Sequence, residues 1–149
     1  MQSFHGKQSV KNKYLKRVVD HKRADQIIKG TYWQDGKGCA VGCTIHGGDH
    51  FAYETELGIP AWLAFLEDGL FEAMPNEDAK EWPGRFLRAI PIGADPAAFD
   101  RVKSRFLHWM LVDEKDGLIA ISEAEDVRLA LRLVAEMHAK LARGETPTL

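Results

Sequence analysis

Two cysteines and two histidines lie close together in one glycine-rich stretch of the 149-residue chain. Cys39, Cys43, His46 and His50 offer thiolate sulfur and imidazole nitrogen, which are the ligand atoms that Zn²⁺ prefers. We therefore predict that these four residues hold zinc or another transition metal. The prediction has a weakness, because zinc fingers separate their two ligand pairs by about a dozen residues. A single helix also presents its ligands in a row rather than around an ion.

The same residues predict a cysteine-dependent enzyme as an alternative. Cys39 follows Gly36-Lys37-Gly38 and is predicted to begin a helix. The partial positive charge at a helix N-terminus lowers the pKa of a thiol and favours the thiolate. Cys39 would then be the nucleophile, and His46 or His50 would be the general base.

A third hypothesis is the binding of a small anionic ligand. Gly36, Lys37 and Gly38 would supply backbone N–H donors and a cation ahead of a helix, where anions bind readily. Trp33 lies in a polar, glycine-flanked stretch and is predicted to be a platform for the ligand. A structural interpretation also stays open, in which the cysteines pack as small apolar residues and the glycines permit close contacts.

The charge of the chain is distributed unevenly, although the net charge is only −2. Residues 1–30 carry a net charge of +6, and the rest of the chain carries −8. Such a basic segment predicts either an arm that binds anions or an arm that docks on its own acidic body. The first case would make the protein a nucleic-acid-associated regulator that uses its basic N-terminal helix.

The elements that must position these residues are predicted to be helices. Apolar residues recur at helical spacing nearly everywhere, which indicates an all-α single domain over residues 1–149. We predict a bundle of about six helices, several of them short. The basic N-terminal helix spans about residues 9–29, and a short apolar run at 118–121 predicts an extended segment. Glu67 and Asp68, on a helix that begins near Pro60, are predicted to face solvent.

The last predicted helix has an unusually wide apolar face. This helix runs from about Ser122 to Arg143, and its width predicts a buried helix or one that pairs with a second copy in a homodimer.

Composition restricts the compartment and the class of protein. The chain has no apolar run of about 20 residues and no apolar signal-peptide core, so we predict a soluble cytoplasmic protein without a membrane partner. No kinase, hydrolase, metalloprotease, EF-hand, dinucleotide-binding or zinc-finger motif is present. The leading prediction is a protein that binds a ligand or partner through segment 36–50, and enzymatic activity stays open.

Overall fold

The computed structural model describes residues 1–147 and confirms the all-α class. Seven α-helices carry most of the ordered backbone of this part of the chain. They are α1 (Gln8–Arg23), α2 (Ala40–Ile45), α3 (Ala61–Ala73), α4 (Asn76–Ala89), α5 (Pro96–Val112), α6 (Leu118–Ile121) and α7 (Glu125–Ala142). None of the helices in residues 1–147 has the length and apolarity that crossing a bilayer would require.

The helices belong to two compact units. The first unit is Met1–Asp95 and contains α1 to α4, and the second begins at Pro96 and contains α5 to α7. The organisation of residues 1–149 as one domain stays a prediction.

Helix α1 ends earlier than its sequence pattern predicts. It stops at Arg23 rather than near residue 29, and Asp25 takes a left-handed φ of 52°. The following residues are extended because their backbone pairs with that of Gly38, about ten residues farther along the chain. The Ile28 amide donates to the Gly38 carbonyl at 2.8 Å, and the Gly38 amide donates to the Gln26 carbonyl at 3.1 Å. Backbone pairing with residues farther along the chain therefore overrides the apolar spacing at Ile27 and Ile28.

A small β-hairpin precedes α2. Strand β1 (Trp33–Gln34) pairs antiparallel with β2 (Lys37–Gly38). The two turn residues, Asp35 and Gly36, have positive φ values of 50° and 79°. Asp-Gly is one of the residue pairs that such two-residue hairpin turns favour, so this dipeptide could have predicted the hairpin.

Helix α3 packs with α2 and α4 in the first unit. Its buried residues include the adjacent acids Glu67 and Asp68, which the sequence predicts to be solvated. That prediction is wrong, because the face of α3 that is buried in the protein interior includes these two acidic residues.

In the second unit α5 packs along α7, with α6 between them in the sequence. The prediction of an extended segment at 118–121 is wrong, since these residues form the one-turn helix α6. The turn is closed by the Ala120 and Ile121 amides, which donate to the Gly117 carbonyl at 2.9 and 3.1 Å.

Candidate functional site

Three side chains from separate elements meet in the interior of the first unit. They are Cys39 at the start of α2, His50 in the loop after α2, and Asp68 in α3. One ligand atom of each residue lies within 4.8 Å of the other two, and all three residues are buried. We call these residues the Cys-His-Asp cluster.

Cys39 enters the cluster because it caps α2 instead of lying inside it. Its backbone is extended (φ −68°, ψ −179°), and its Sγ accepts a hydrogen bond from the Gly42 amide at 3.4 Å. Its own amide donates to the Thr31 carbonyl at 2.8 Å, which fixes the junction between the hairpin and the helix. An extended N-cap residue does not project its side chain along the stripe of the helix that follows it, so Cys39 and Cys43 point in different directions.

His50 has an acceptor at each ring nitrogen. Its Nε2 lies 3.2 Å from Oδ2 of Asp68, and its Nδ1 lies 3.4 Å from the Gly48 carbonyl oxygen. The hydrogen bond with Asp68 raises the pKa of His50, although burial opposes this effect. Two acceptors on one ring favour the imidazolium, because only that form donates from both nitrogens.

The thiol of Cys39 is protonated rather than activated. Burial raises its pKa far above the usual range, and the neighbouring Asp68 carboxylate raises it further. The lowered pKa expected at the helix N-terminus is therefore wrong, since loss of solvation outweighs the partial charge of the short helix. For Asp68, burial favours the neutral acid, but hydrogen bonds from His50 and Cys39 outweigh it and leave the pKa lowered.

Glu67 places a second carboxyl group beside the cluster. It is fully buried, and the Tyr53 hydroxyl donates to its Oε2 at 2.6 Å. Burial raises the pKa of Glu67 to about 8. Two oxygens, Oε1 of Glu67 and Oδ1 of Asp68, are buried without a hydrogen-bond partner among the described residues. Native proteins rarely leave buried polar atoms unpaired, and a bound ion or water is one explanation when they do.

Known proteins do not identify this arrangement. The chain matches no protein-family model, no curated protein and no solved structure. The chemistry of the site therefore has to be inferred from the side chains that it brings together.

The other two predicted metal ligands lie outside the cluster. The thiol of Cys43 donates to the Gly38 carbonyl at 3.3 Å. His46 follows α2 with a left-handed φ of 58°, and its Nε2 lies 2.8 Å from Nε2 of His21. The structure thus brings together Cys39 and His50 but not the predicted set of four.

The residues predicted to bind an anion form the hairpin. Gly36 is in the turn, Lys37 is exposed, and Gly38 is buried in β2. Trp33 stacks on the imidazole of His46, with ring centroids 5.2 Å apart. These positions differ from the predicted approach to a helix N-terminus, and anion binding by these residues stays a prediction.

Several cations of the basic helix α1 are bound to the rest of the first unit. Lys11 Nζ donates to the Ile90 carbonyl at 2.6 Å, Arg17 donates to the Thr44 carbonyl at 3.1 Å, and Lys22 pairs with Glu81. These contacts agree with the alternative in which the basic segment docks on its own body. Nucleic-acid binding by α1 stays a prediction.

Sequence reasoning missed the acidic half of the site. Glu67 and Asp68 look like ordinary surface acids, yet Ala64, Asp68 and Phe71 follow the i, i+4, i+7 spacing of a buried helix face. That spacing was the available signal for Asp68.

Proposed function

We propose that the protein binds a divalent transition metal ion of the zinc class through Cys39, His50 and Asp68. The observation that carries this proposal is the convergence of a thiol, an imidazole and a carboxylate, with one ligand atom of each within 4.8 Å of the others. These are the three side-chain types that bind zinc in proteins. The ion is the ligand of segment 36–50, which contributes Cys39 and His50.

The spacing of the side chains is suited to an ion. Zinc–ligand distances of about 2.0–2.3 Å place tetrahedral ligand atoms roughly 3.3–3.8 Å apart. The His50 Nε2 and Asp68 Oδ2 atoms are 3.2 Å apart, and the Cys39 sulfur lies within 4.8 Å of both residues' ligand atoms. The unpaired Oδ1 of Asp68 supports the proposal independently, since it lacks the partner that a buried carboxylate oxygen requires.

Glu67 is a candidate for a fourth ligand. It is the neighbour of Asp68 on α3, and its Oε1 is buried without a partner among residues 1–147. A bound cation would stabilise the thiolate of Cys39 and the carboxylate of Glu67, because a metal ion displaces protons from its ligands. In the reducing cytoplasm that the sequence predicts, the Cys39 thiol would stay free to bind the ion.

The geometry supports a metal ligand better than a nucleophile at position 39. The carboxylate of Asp68 hydrogen bonds both Cys39 and His50, so His50 is not held as the base for the thiol. Cys39 is also fully buried, which keeps a substrate from its sulfur. A cysteine-dependent enzyme is therefore the weaker candidate.

The test is a titration of chelator-treated, tag-free protein with Co²⁺ and then with Zn²⁺. We expect one Co²⁺ per chain, with a sulfur-to-metal charge-transfer absorption band that Zn²⁺ abolishes by displacement. The variants Cys39→Ser, His50→Gln and Asp68→Asn should lose the band or weaken binding more than about tenfold, because each removes a ligand. Cys43→Ser and His46→Gln are matched controls from the same segment and should keep it. No band in the wild-type protein, or equal losses in Cys43→Ser, would refute the proposal.

A second candidate function, homodimerisation through the second unit, has an observation of its own. Within residues 96–147 the buried apolar side chains are Phe99, Leu111 and Ala135. Many more of its large apolar side chains are at least 40% exposed: Val102, Trp109, Met110, Val112, Leu118, Ile121, Val127, Leu129, Leu133 and Val134. Two packed helices form half of a four-helix bundle, and a second copy would supply the missing half of the core.

The mass of the protein in solution tests this second candidate. Light scattering coupled to size-exclusion chromatography should give twice the chain mass of 16.7 kDa. Leu133, which is 64% exposed, should be part of the interface, so Leu133→Glu should give the monomer mass. Thr55→Glu, an exposed substitution in the first unit, is the control and should stay dimeric. A wild-type monomer at high concentration would exclude the dimer.

A further inference from the structure

A cleft between α1 and α4 is lined by residues other than those of the Cys-His-Asp cluster. The two helices run antiparallel, because Lys11, near the start of α1, donates to the Ile90 carbonyl after α4, and Lys22, near the end of α1, pairs with Glu81. Beside the Lys22–Glu81 pair, the helices form the walls of a cleft of about 350 Å³. This volume lies within the range of small-molecule sites in proteins.

Gly84 makes room in the α4 wall of the cleft. It lies in the interior of the helix, where glycine costs about 1 kcal/mol relative to alanine. A Cβ atom at Gly84 would lie 3.2 Å from Nη2 and 3.3 Å from Nη1 of Arg88. The Arg88 side chain thus points back toward the N-terminus of α4, as helical side chains do, and its guanidinium lies over the bare backbone of Gly84. The missing side chain at position 84 therefore lets the Arg88 charge line the cleft.

Positively charged side chains line both walls of the cleft. They are Lys22 and Arg23 from α1, and Lys80 and Arg88 from α4. Each of the two lysines has an acidic partner, since Lys22 pairs with Glu81 and Lys80 Nζ lies 2.7 Å from Oδ1 of Asp25. The lysine charges are therefore balanced within the protein.

The two arginines carry the charge that is left over. Among residues 1–147, neither the Arg23 nor the Arg88 guanidinium has a hydrogen-bond or ion-pair partner. Arg23 lowers the pKa of Asp20, but Lys16 already pairs with that carboxylate. The cleft thus presents two guanidinium charges, one from each wall, without a balancing acid.

The cleft also has an apolar part. Val18, which is 2% exposed, and its neighbour Val19 line it from α1. Small-molecule sites combine apolar lining with a few charged groups that fix the orientation of the ligand. A molecule with an apolar body and an anionic group would contact both kinds of side chain.

We propose that this cleft binds a small organic phosphate, with the phosphate group between Arg23 and Arg88 and the organic part against Val18. The planar guanidinium donates two parallel hydrogen bonds to a phosphate, and arginine is the residue that matches phosphate geometry best. A phosphate monoester carries a charge of about −1.5 to −2 at pH 7, which balances two guanidinium groups. This site differs from the anion site predicted at residues 36–38, and it does not rest on metal binding.

The experiment is a calorimetric titration of the full-length, chelator-treated protein at pH 7.5 and constant ionic strength. Phenyl phosphate is the probe, and phenyl sulfate is an analogue of similar shape with a single negative charge. We expect one phenyl phosphate per chain, bound about tenfold more tightly than phenyl sulfate. Arg23→Gln and Arg88→Gln should each weaken the binding of phenyl phosphate about tenfold, because each removes a charge-assisted hydrogen-bond donor. Arg88→Lys should restore only part of the affinity, since lysine keeps the charge and loses the fork of donors.

Arg85→Gln is the matched control, because it removes the same charge from an exposed residue of α4 that does not line the cleft. It should leave the binding of phenyl phosphate within about twofold of the wild type, since exposed charges at a distance are screened by salt. Circular dichroism and thermal unfolding establish that each variant is folded. No saturable binding, equal affinity for the two probes, or the same loss in Arg85→Gln as in Arg88→Gln would overturn the proposal.

Discussion

Asp68 and His50 form a charge pair that is almost fully removed from solvent. Their side chains are 11% and 4% exposed, and their closest atoms are 3.2 Å apart. Removing one partner of a buried pair leaves the other charge unpaired, which costs more than losing a surface pair.

We therefore expect Asp68→Asn, in metal-free protein, to lower the free energy of unfolding by about 3 kcal/mol. Urea denaturation followed by circular dichroism measures this change. Asp20→Asn removes the exposed pair that Asp20 forms with Lys16, and it should change the midpoint little. Similar midpoints for the two variants would show that burial does not strengthen the pair.

His46 gives the protein a pH dependence of known sign. Burial lowers the pKa of His46, and the neighbouring Arg17 and Lys13 cations lower it further, while Glu56 opposes them. The unfolded chain then binds more protons than the folded protein just below pH 6.5. The contribution of His46 to stability is complete above that pH and is lost as the pH falls toward the lower pKa of the folded state.

His46→Gln should consequently reduce the loss of stability between pH 7.5 and pH 5.5. Urea denaturation of both proteins at the two pH values gives two losses of stability, and the difference between them measures the effect. An unchanged or larger loss in the variant would contradict the direction of the shift.

At the scale of elements, the junction between the hairpin and α2 depends on two glycines, Gly38 and Gly42, which both lie against the Tyr32 carbonyl oxygen. Gly42 lies inside α2, where its hydrogen faces the Tyr32 carbonyl oxygen. Gly42→Ala should lower the free energy of unfolding by about 3 kcal/mol, since the added methyl group forces the backbone apart. Chemical denaturation measures this loss. Gly47→Ala, which meets no atom within 4 Å, is the matched control and should stay within about 0.5 kcal/mol of the wild type.

The elements with strong apolar periodicity could be predicted from the sequence. Helix α7 lies close to where the spacing places the last helix, because its apolar pattern is long. Short apolar runs were ambiguous, and residues 118–121 became helical through two hydrogen bonds to Gly117. The end of α1 was missed since the partner of Gln26 and Ile28 is Gly38, a contact that no local pattern contains.

The residues of the candidate site also differ in how far the sequence could predict them. Cys39 and His50 could be proposed from residue type and proximity alone. Asp68 comes 18 residues after His50 and reaches it only through the packing of α3, so local spacing could not join the two. The prediction grouped Cys43 and His46 with Cys39 and His50, and the structure places Cys43 at the Gly38 carbonyl and His46 at His21.

At the scale of the whole molecule, metal binding should stabilise the folded protein. An ion that binds only the folded state adds about 2.7 kcal/mol at 100 times its Kd. For a chain of 149 residues, this corresponds to a rise in Tm of roughly 5–10 °C. Differential scanning calorimetry with Zn²⁺ and with a chelator should show the rise in wild-type protein and Cys43→Ser and not in Cys39→Ser. An identical rise in Cys39→Ser would indicate that the ion binds elsewhere.

Both cysteines are completely enclosed, and burial raises the pKa of each thiol. Neither sulfur can meet an alkylating reagent until the surrounding segment opens, so the modification rate reports the population of the open form. Cys39 is a ligand in the proposed metal site, and Cys43 is not. The alkylation rates of the two thiols therefore report two local opening reactions. A bound ion should slow the alkylation of Cys39 more than that of Cys43.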